Sequence, residues 1–263
     1  MSYSFDIVDQ KVNETEFFLG KMIGAGNNWF EFSCYLTAYL SSSRSITLAL
    51  QRFKFIPGFE EWYKTHQSSL QSDPLAKFIL EIRNDNVHGG PNPVVGARFY
   101  GDKSEYRFKD QEKLEHNDIV SCCRAHFIRL LKIVYDCYVK LGVYIDPQQY
   151  YTREHFASMG LTIDDAELEI WGWIMTSYIE EGFDEDDRWH ELRSRVGECK
   201  INHLFNGYLD KVTPQPILPD RIADFEYTEE ERGWVYIPPG FKTIEEYINS
   251  LKNIDTEIDD NKT

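Results

Sequence analysis

The sequence predicts a mainly α protein: a helical bundle over residues 1–143, then a smaller, acidic, mostly helical region over residues 144–263. Three observations carry that reading. Long stretches of the first half repeat apolar residues every three or four positions, the spacing of a helix with one buried face. The ends of those stretches carry helix punctuation, with Asn or Asp before them and Gly or Pro after. The charge also divides the chain. Residues 1–143 hold 17 acidic and 17 basic side chains, whereas residues 144–263 hold 27 and 11, so the net charge of −16 lies entirely in the second part.

The elements follow in order. Trp29 to Phe55 has helical spacing and no Gly or Pro. Asn27 and Asn28 are its N-cap candidates, and Ser41, Ser42 and Ser43 mark a point where it kinks or splits. Pro57-Gly58 ends it, and Phe59 to Leu70 reads as a short helix. Asp73 then caps a further helix that has Pro74 in its first position, a favoured pairing. After Gly89-Gly90-Pro91, the segment VVGARFYGDKSEYRF alternates as a hairpin does, with Gly101-Asp102 at its turn. A long amphipathic helix is expected from about Leu114 to Leu141, stopped by Gly142. In the second part, Asp164-Asp165 starts a helix through AELEIWGWIMTSYIEE, and another spans Asp187 to Lys211. Three prolines hold TPQPILPD extended. One strand is expected near Trp234–Ile237, a short helix is capped by Thr243 with Glu246 at the capping-box position, and the tail frays from about residue 255.

Composition narrows the function. An acidic chain is poorly suited to broad nucleic-acid binding, which gains affinity by neutralising phosphates with Lys and Arg. The neutral first part is less restricted, because a local basic cleft can form on it. The acidic second part is a candidate protein-binding surface. Five cysteines, an odd number without a C-x-x-C pair, read as reduced thiols of a cytoplasmic protein. The N-terminal MSYSFDIVDQ lacks the basic and apolar regions of a secretory signal. No run of about 18 uninterrupted apolar residues occurs, so no membrane span is expected. His190, Cys199 and His203 have ligand-like types but lack a second cysteine pair. The acidic run Glu180–Asp187 lacks the order of a calcium loop and reads as a solvated turn. The crowded Trp171, Trp173, Trp189 and Trp234 read as core or partner-binding residues.

The densest chemistry is FILEIRNDNVHGGPNP, where an apolar helix gives way to Arg83, Asn84, Asp85, Asn86, Val87 and His88. Five positions turn through about 140° on a regular helix, so Arg83 and His88 share no face unless the last turn loosens. Gly89-Gly90-Pro91 predicts a stop there and with it such a loosened turn. An arginine fork can hold a phosphate, and a histidine can move a proton. The alternative is structural: Arg83 pairs with Glu81 or Asp85, and His88 closes the helix. Arg44, inside an otherwise apolar helix, either reaches the same cleft or forms an internal pair with Glu31 or Glu81.

An arginine, a polar residue, three more residues and a histidine at a helix end resemble the active-site motif of the HEPN superfamily. The segments SSSRSITLALQR and FEEWYKTHQSSLQSDPLAKFILEIRNDNVHGG look like a little-described bacterial group within it. The resemblance covers about residues 27–143 and implies a HEPN-like bundle of four or five helices. It also implies a homodimer that places Arg83 and His88 of both chains across one cleft. The activity implied is metal-independent endoribonuclease chemistry without a cofactor, in a toxin or effector of stress or antiviral defence. In that scheme Arg83 binds phosphate, His88 handles the proton, Asn84 supports Arg83, and Arg44 and Asn86 are substrate contacts. Some HEPN families carry a tyrosine where this chain has Gly90, which removes a supporting hydroxyl. Members that have lost activity serve as interaction modules, and that is the alternative function here.

Overall fold

The computed structural model describes residues 3–90, 92–101, 103–109, 114–116, 118–175, 185–215, 224–228, 233–237 and 241–249. The mainly helical class is as expected. The chain forms two compact units. One comprises Ser2–Asp146 with Glu198–Pro214, and the other is built mainly from Pro147–Gly197 and Gln215–Thr263.

The first unit opens with α1 (Asp6–Gly24) and α2 (Trp29–Leu50), a helical hairpin. Val8, Val12, Thr15, Leu19 and Met22 form the buried stripe of α1, at alternating spacings of four and three. Asn28 caps α2 by accepting the Glu31 amide at 3.3 Å. The three serines do not split α2, which runs through them unbroken. Ser42 and Ser43 donate their hydroxyls back to the carbonyls of Tyr39 and Leu40, each at 3.1 Å, so their polar groups are satisfied inside the helix.

Helices α3 (Phe59–Ser72) and α4 (Pro74–Val87) follow, joined at Asp73. Asp73 accepts the Ala76 amide at 2.9 Å, as a cap should, and also takes the Arg129 guanidinium at 2.6 Å. The hairpin forms from β1 (Val94–Tyr100) and β2 (Lys103–Phe108), antiparallel, with Gly101 at φ 63° in its turn. Tyr106 anchors it, stacked 4.0 Å from Phe32 and donating its hydroxyl to the Gly26 carbonyl.

Helix α5 (Ile119–Ile145) is the centre of this unit and packs against α1, α2, α4 and β2. Its cap is Asp118, which accepts the Ser121 amide at 3.0 Å. The helix does not stop at Gly142. That residue is buried inside it, because Leu141 and Ile145 complete its apolar face and Pro147 lies just beyond. Burying each such side chain contributes about 1.5–3 kcal/mol, more than the roughly 1 kcal/mol that a helical glycine costs. The second segment of the unit supplies α10 (Asn202–Leu209), which packs on α5 through Phe205 and Tyr135, 5.3 Å apart. A boundary at 143/144, drawn from charge, could not reveal that residues 198–214 belong to this unit.

The other unit has α6 (Pro147–Tyr150), α7 (Arg153–Ser158), α8 (Ile163–Trp171) and α9 (Glu185–Arg195). Tyr150, Tyr151, Phe156, Ile163, Trp189 and Leu192 form its core. Helix α8 ends at Trp171 rather than continuing, with Gly172 at φ 75°. The helix expected over Asp187–Lys211 divides into α9 and α10, on either side of Gly197. Arg188 Nε and Nη2 donate to the two oxygens of buried Glu167 at 2.9 and 2.7 Å, and Arg188 also pairs with Asp164. The expected strand is β4 (Gly233–Ile237), and its antiparallel partner β3 (Asp224–Thr228) was not foreseen. Thr243 accepts the Glu246 amide at 3.2 Å, as its capping role requires. The later part of IMTSYIEE, most of the acidic run Glu180–Asp187, the end of TPQPILPD and the tail from residue 255 lie outside the described residues.

Two stability predictions follow from buried charge. Burial pushes the Asp9 carboxyl up to about 7, although the Tyr138 hydroxyl lies 2.9 Å from both its oxygens. A carboxyl that holds its proton more tightly when folded favours folding below its unfolded value near 4, and this advantage is lost as pH rises towards 7. Asp9→Asn therefore raises the unfolding free energy by about 2–4 kcal/mol at pH 8 and changes it little at pH 4. Denaturant titrations at both values check this, and equal losses at both would contradict it. Arg188→Met strands the fully buried Glu167 and costs about 3–5 kcal/mol, whereas Arg188→Met with Glu167→Leu recovers most of the loss. Thermal unfolding of both variants reads the difference.

Candidate functional site

Four helices of the first unit turn one face each towards a common cavity of about 270 Å³. Helix α2 contributes Leu40, Ser43, Arg44 and Thr47, with Gln51 one turn further on. Helix α3 contributes Tyr63, Gln67, Leu70 and Gln71; α4 contributes Ala76, Ile79, Leu80 and Arg83, with Lys77 beside them. These positions recur at three- and four-residue intervals, so each set lies on one side of its helix. Helix α5 closes the cavity with His126 and Leu130. Apolar residues make up much of the lining, and three cations belong to it: Arg44, Arg83 and the exposed Lys77. Among the described residues, no carboxylate lines the cavity.

The arginines are held without being neutralised. Arg44 Nη1 donates to the Thr47 hydroxyl at 2.9 Å, and Thr47 in turn donates to the Arg44 carbonyl. The internal pairs considered from the sequence, with Glu31 or Glu81, do not form. Arg83 Nη1 donates to Asn84 Oδ1 at 3.1 Å, and Arg83 makes no ion pair with Glu81 or Asp85. Arg83 Nε is buried and has no hydrogen-bond partner. With Nη1 occupied, Nε and Nη2 remain, the two parallel donors that bind two oxygens of a phosphate or carboxylate together. A buried donor without a partner costs about 1–3 kcal/mol, a penalty that an oxyanion relieves if the side chain turns Nε towards the cavity.

His88 is placed differently. Helix α4 stays regular to its end, where the His88 amide donates to the Asn84 carbonyl at 3.0 Å. Gly89 then adopts φ 81°, and the Gly90 amide bonds the Asp85 carbonyl at 2.7 Å, which closes the helix in a Schellman turn. A Cβ on Gly90 would stand 2.7 Å from that carbonyl oxygen, so this position requires glycine. The expected loosened turn is thus absent, and the 140° between Arg83 and His88 persists. Within one chain the structure does not bring them together: Arg83 lines the cavity, while His88 is exposed outside it. Asn84 contacts Arg83, whereas Asn86 lies outside the lining.

Sequence reasoning missed Lys77 and His126. His126 is buried and accepts or donates at Nδ1 to the Tyr39 hydroxyl, 3.1 Å away. Burial lowers its pKa to about 4, with a further push from Arg129, so the ring is neutral at physiological pH. Its signal in the sequence was a lone histidine on the apolar face of AHFIRLLKIV. His66, on α3, instead pairs with Asp136 at 2.8 Å beside Trp62, which donates to the same oxygen. A second and larger groove, about 730 Å³, is lined by Asp6, Asp9, Glu14 and a single cation, Lys200, and so has the opposite electrostatic character. Among the described residues, no cluster of His, Cys, Asp or Glu could hold a metal ion. No helix among them is long and apolar enough to cross a membrane.

Residues 6–91 match the model of the family described as bacteriophage lambda protein ea47. No curated protein and no solved structure gives a significant match. The family match spans α1 to α4, including Arg44, Arg83, Asn84 and His88, and it is to a family other than HEPN. The HEPN resemblance, and the HEPN-like label for the bundle, are therefore corrected. A motif of two fixed residues and a four-residue gap is short enough to arise wherever a polar helix end follows an apolar face, as it does in α4. What residues 6–91 are similar to is a protein family of bacteriophage lambda.

Proposed function

We propose that the first unit binds a phosphate-bearing ligand in the cavity between α2, α3, α4 and α5. One observation carries this reading: Arg44, Lys77 and Arg83 line a partly apolar cavity with no carboxylate among its described lining residues, and the Nε donor of Arg83 has no partner. Cations left unneutralised in a site of reduced dielectric attract an anion more strongly than they would in water. The arginine fork favours a tetrahedral or planar oxyanion over chloride. Gln67 and Gln71, also in the lining, offer amides to the rest of the ligand.

Metal-independent RNA cleavage is the second reading. It is favoured by the exposed His88 imidazole, which ends the same helix that carries Arg83. Because the two side chains diverge within one chain, cleavage requires a homodimer in which one copy's His88 approaches a phosphate held by the other's Arg83. No metal or cofactor enters that chemistry, since the ribose 2′-OH is the nucleophile. The acidic excess of residues 144–263 supports a protein partner rather than a nucleic-acid role for that region. The buried free thiols Cys122, Cys123 and Cys137 support a cytoplasmic setting.

The binding reading predicts that inorganic phosphate stabilises the full chain in thermal-shift measurements, in a saturable way. Arg83→Ala and Arg44→Ala each weaken that binding by about tenfold or more, in keeping with the loss of a charge-assisted hydrogen bond. Unchanged binding in both folded variants would sink the reading. For RNA cleavage, wild type incubated with RNA in EDTA should cut, and Arg83→Ala and His88→Ala should each fail. An equimolar mixture of the two dead variants should regain part of the activity if the site is shared between copies. Absence of any cut by folded wild type leaves a non-catalytic binding module.

A further inference from the structure

His126 gives the cavity a second kind of selectivity. The Tyr39 hydroxyl has one proton, and it lies 2.7 Å from the Cys123 carbonyl oxygen, which can only accept. That proton is therefore committed. The 3.1 Å contact between Tyr39 and His126 Nδ1 must run the other way, with Nδ1–H donating to the tyrosine oxygen. In a neutral imidazole this leaves Nε2 as an acceptor with a free lone pair. Tyr39 is fully buried and lies outside the cavity lining, whereas His126 belongs to it. The Nδ1 edge of the ring thus faces Tyr39, and the opposite Nε2 edge is the one available to the cavity. Among the described residues His126 makes no other hydrogen bond, which leaves its Nε2 accessible to a donor.

A bare oxyanion suits Arg83 but not this acceptor. A lone pair facing further lone pairs gains nothing, whereas an O–H or N–H donor satisfies it. Size adds a limit. A cavity of about 270 Å³ is at the small end of ligand sites and admits a compact molecule, not a threaded strand. We propose that the cavity selects small phosphate monoesters, of nucleotide size or below, whose body presents an O–H or N–H donor to His126 Nε2. The inference rests on the phosphate-binding reading and names the ligand class of that same site. Arg83, Arg44 and Lys77 take the phosphate, and His126 reads what the phosphate is attached to.

Calorimetric titration of the full chain with four probes tests this: methyl phosphate, ribose 5-phosphate, AMP and a 5′-phosphorylated tetraribonucleotide. Ribose 5-phosphate or AMP should bind wild type at least tenfold more tightly than methyl phosphate. His126→Phe should erase most of that advantage and leave methyl phosphate unchanged. Tyr39→Phe serves as a second variant if His126→Phe fails to fold. It leaves the cavity lining intact but frees the imidazole to carry its proton on Nε2, so the advantage should shrink there too. The tetranucleotide should bind no better than AMP, and tighter binding would overturn the small-ligand assignment in favour of an RNA end. Arg83-dependent binding of all probes with no effect of His126→Phe or Tyr39→Phe would overturn the role of His126 while the phosphate site stands. No Arg83-dependent binding of any probe would remove both.

Discussion

Asp73 is the residue on which the geometry of the first unit depends. One carboxylate oxygen caps α4 through the Ala76 amide, and the other takes Arg129 on α5. Those contacts, with the helix and the cation, hold its carboxyl below the usual range against the opposing effect of burial. The start of α4 is thereby fixed both in its own register and against the central helix. Because Pro74 follows directly, the helix has no freedom to begin elsewhere. Everything further along α4 inherits that placement. Ala76, Ile79, Leu80 and Arg83 face the cavity because the count starts at Asp73.

The same logic explains the cavity's chemistry. Helix α2 brings Arg44 to the common face and α5 brings His126, but neither is neutralised by an acid. Three acids of this unit are used elsewhere: Asp73 on Arg129, Asp136 on Trp62 and His66, and Asp9 on Tyr138. Each of these ties α5 to another helix. The carboxylates thus hold the bundle together, while the cations and one neutral histidine are left for the cavity. That division gives the unit a site with an anion-attracting side and a hydrogen-bond-accepting side.

Much of the fold could be read from local signals. Asn28, Asp73 with Pro74, Thr243 and Gly101 act through their immediate neighbours, and each does in the structure what its residue type suggests. Gly142 misled because its effect is not local: the apolar face of α5 continues past it and outweighs a weak stop. The triple serine misled for a related reason, since its hydroxyls are satisfied within α2. For the site, Arg44 and Arg83 were legible as cations among apolar neighbours. The partnership of Arg83 with His88 was not, because it depended on whether the end of α4 unwinds, and the Schellman turn at Gly89-Gly90 keeps it wound. His126 was hidden by its surroundings, since only Tyr39, distant in sequence, gives its ring a direction.

The central claim is that Arg83 takes a phosphate in this cavity, and its Nε–H, buried and unpartnered in the free protein, allows a direct measurement. Nitrogen–proton correlation spectra that resolve the arginine Nε–H groups should be recorded while ribose 5-phosphate is added. The account predicts that the Arg83 Nε–H signal moves saturably, with the affinity found by calorimetry, while that of Arg98 on the hairpin stays fixed. An Arg83 signal that does not respond at ligand concentrations saturating the protein would contradict it.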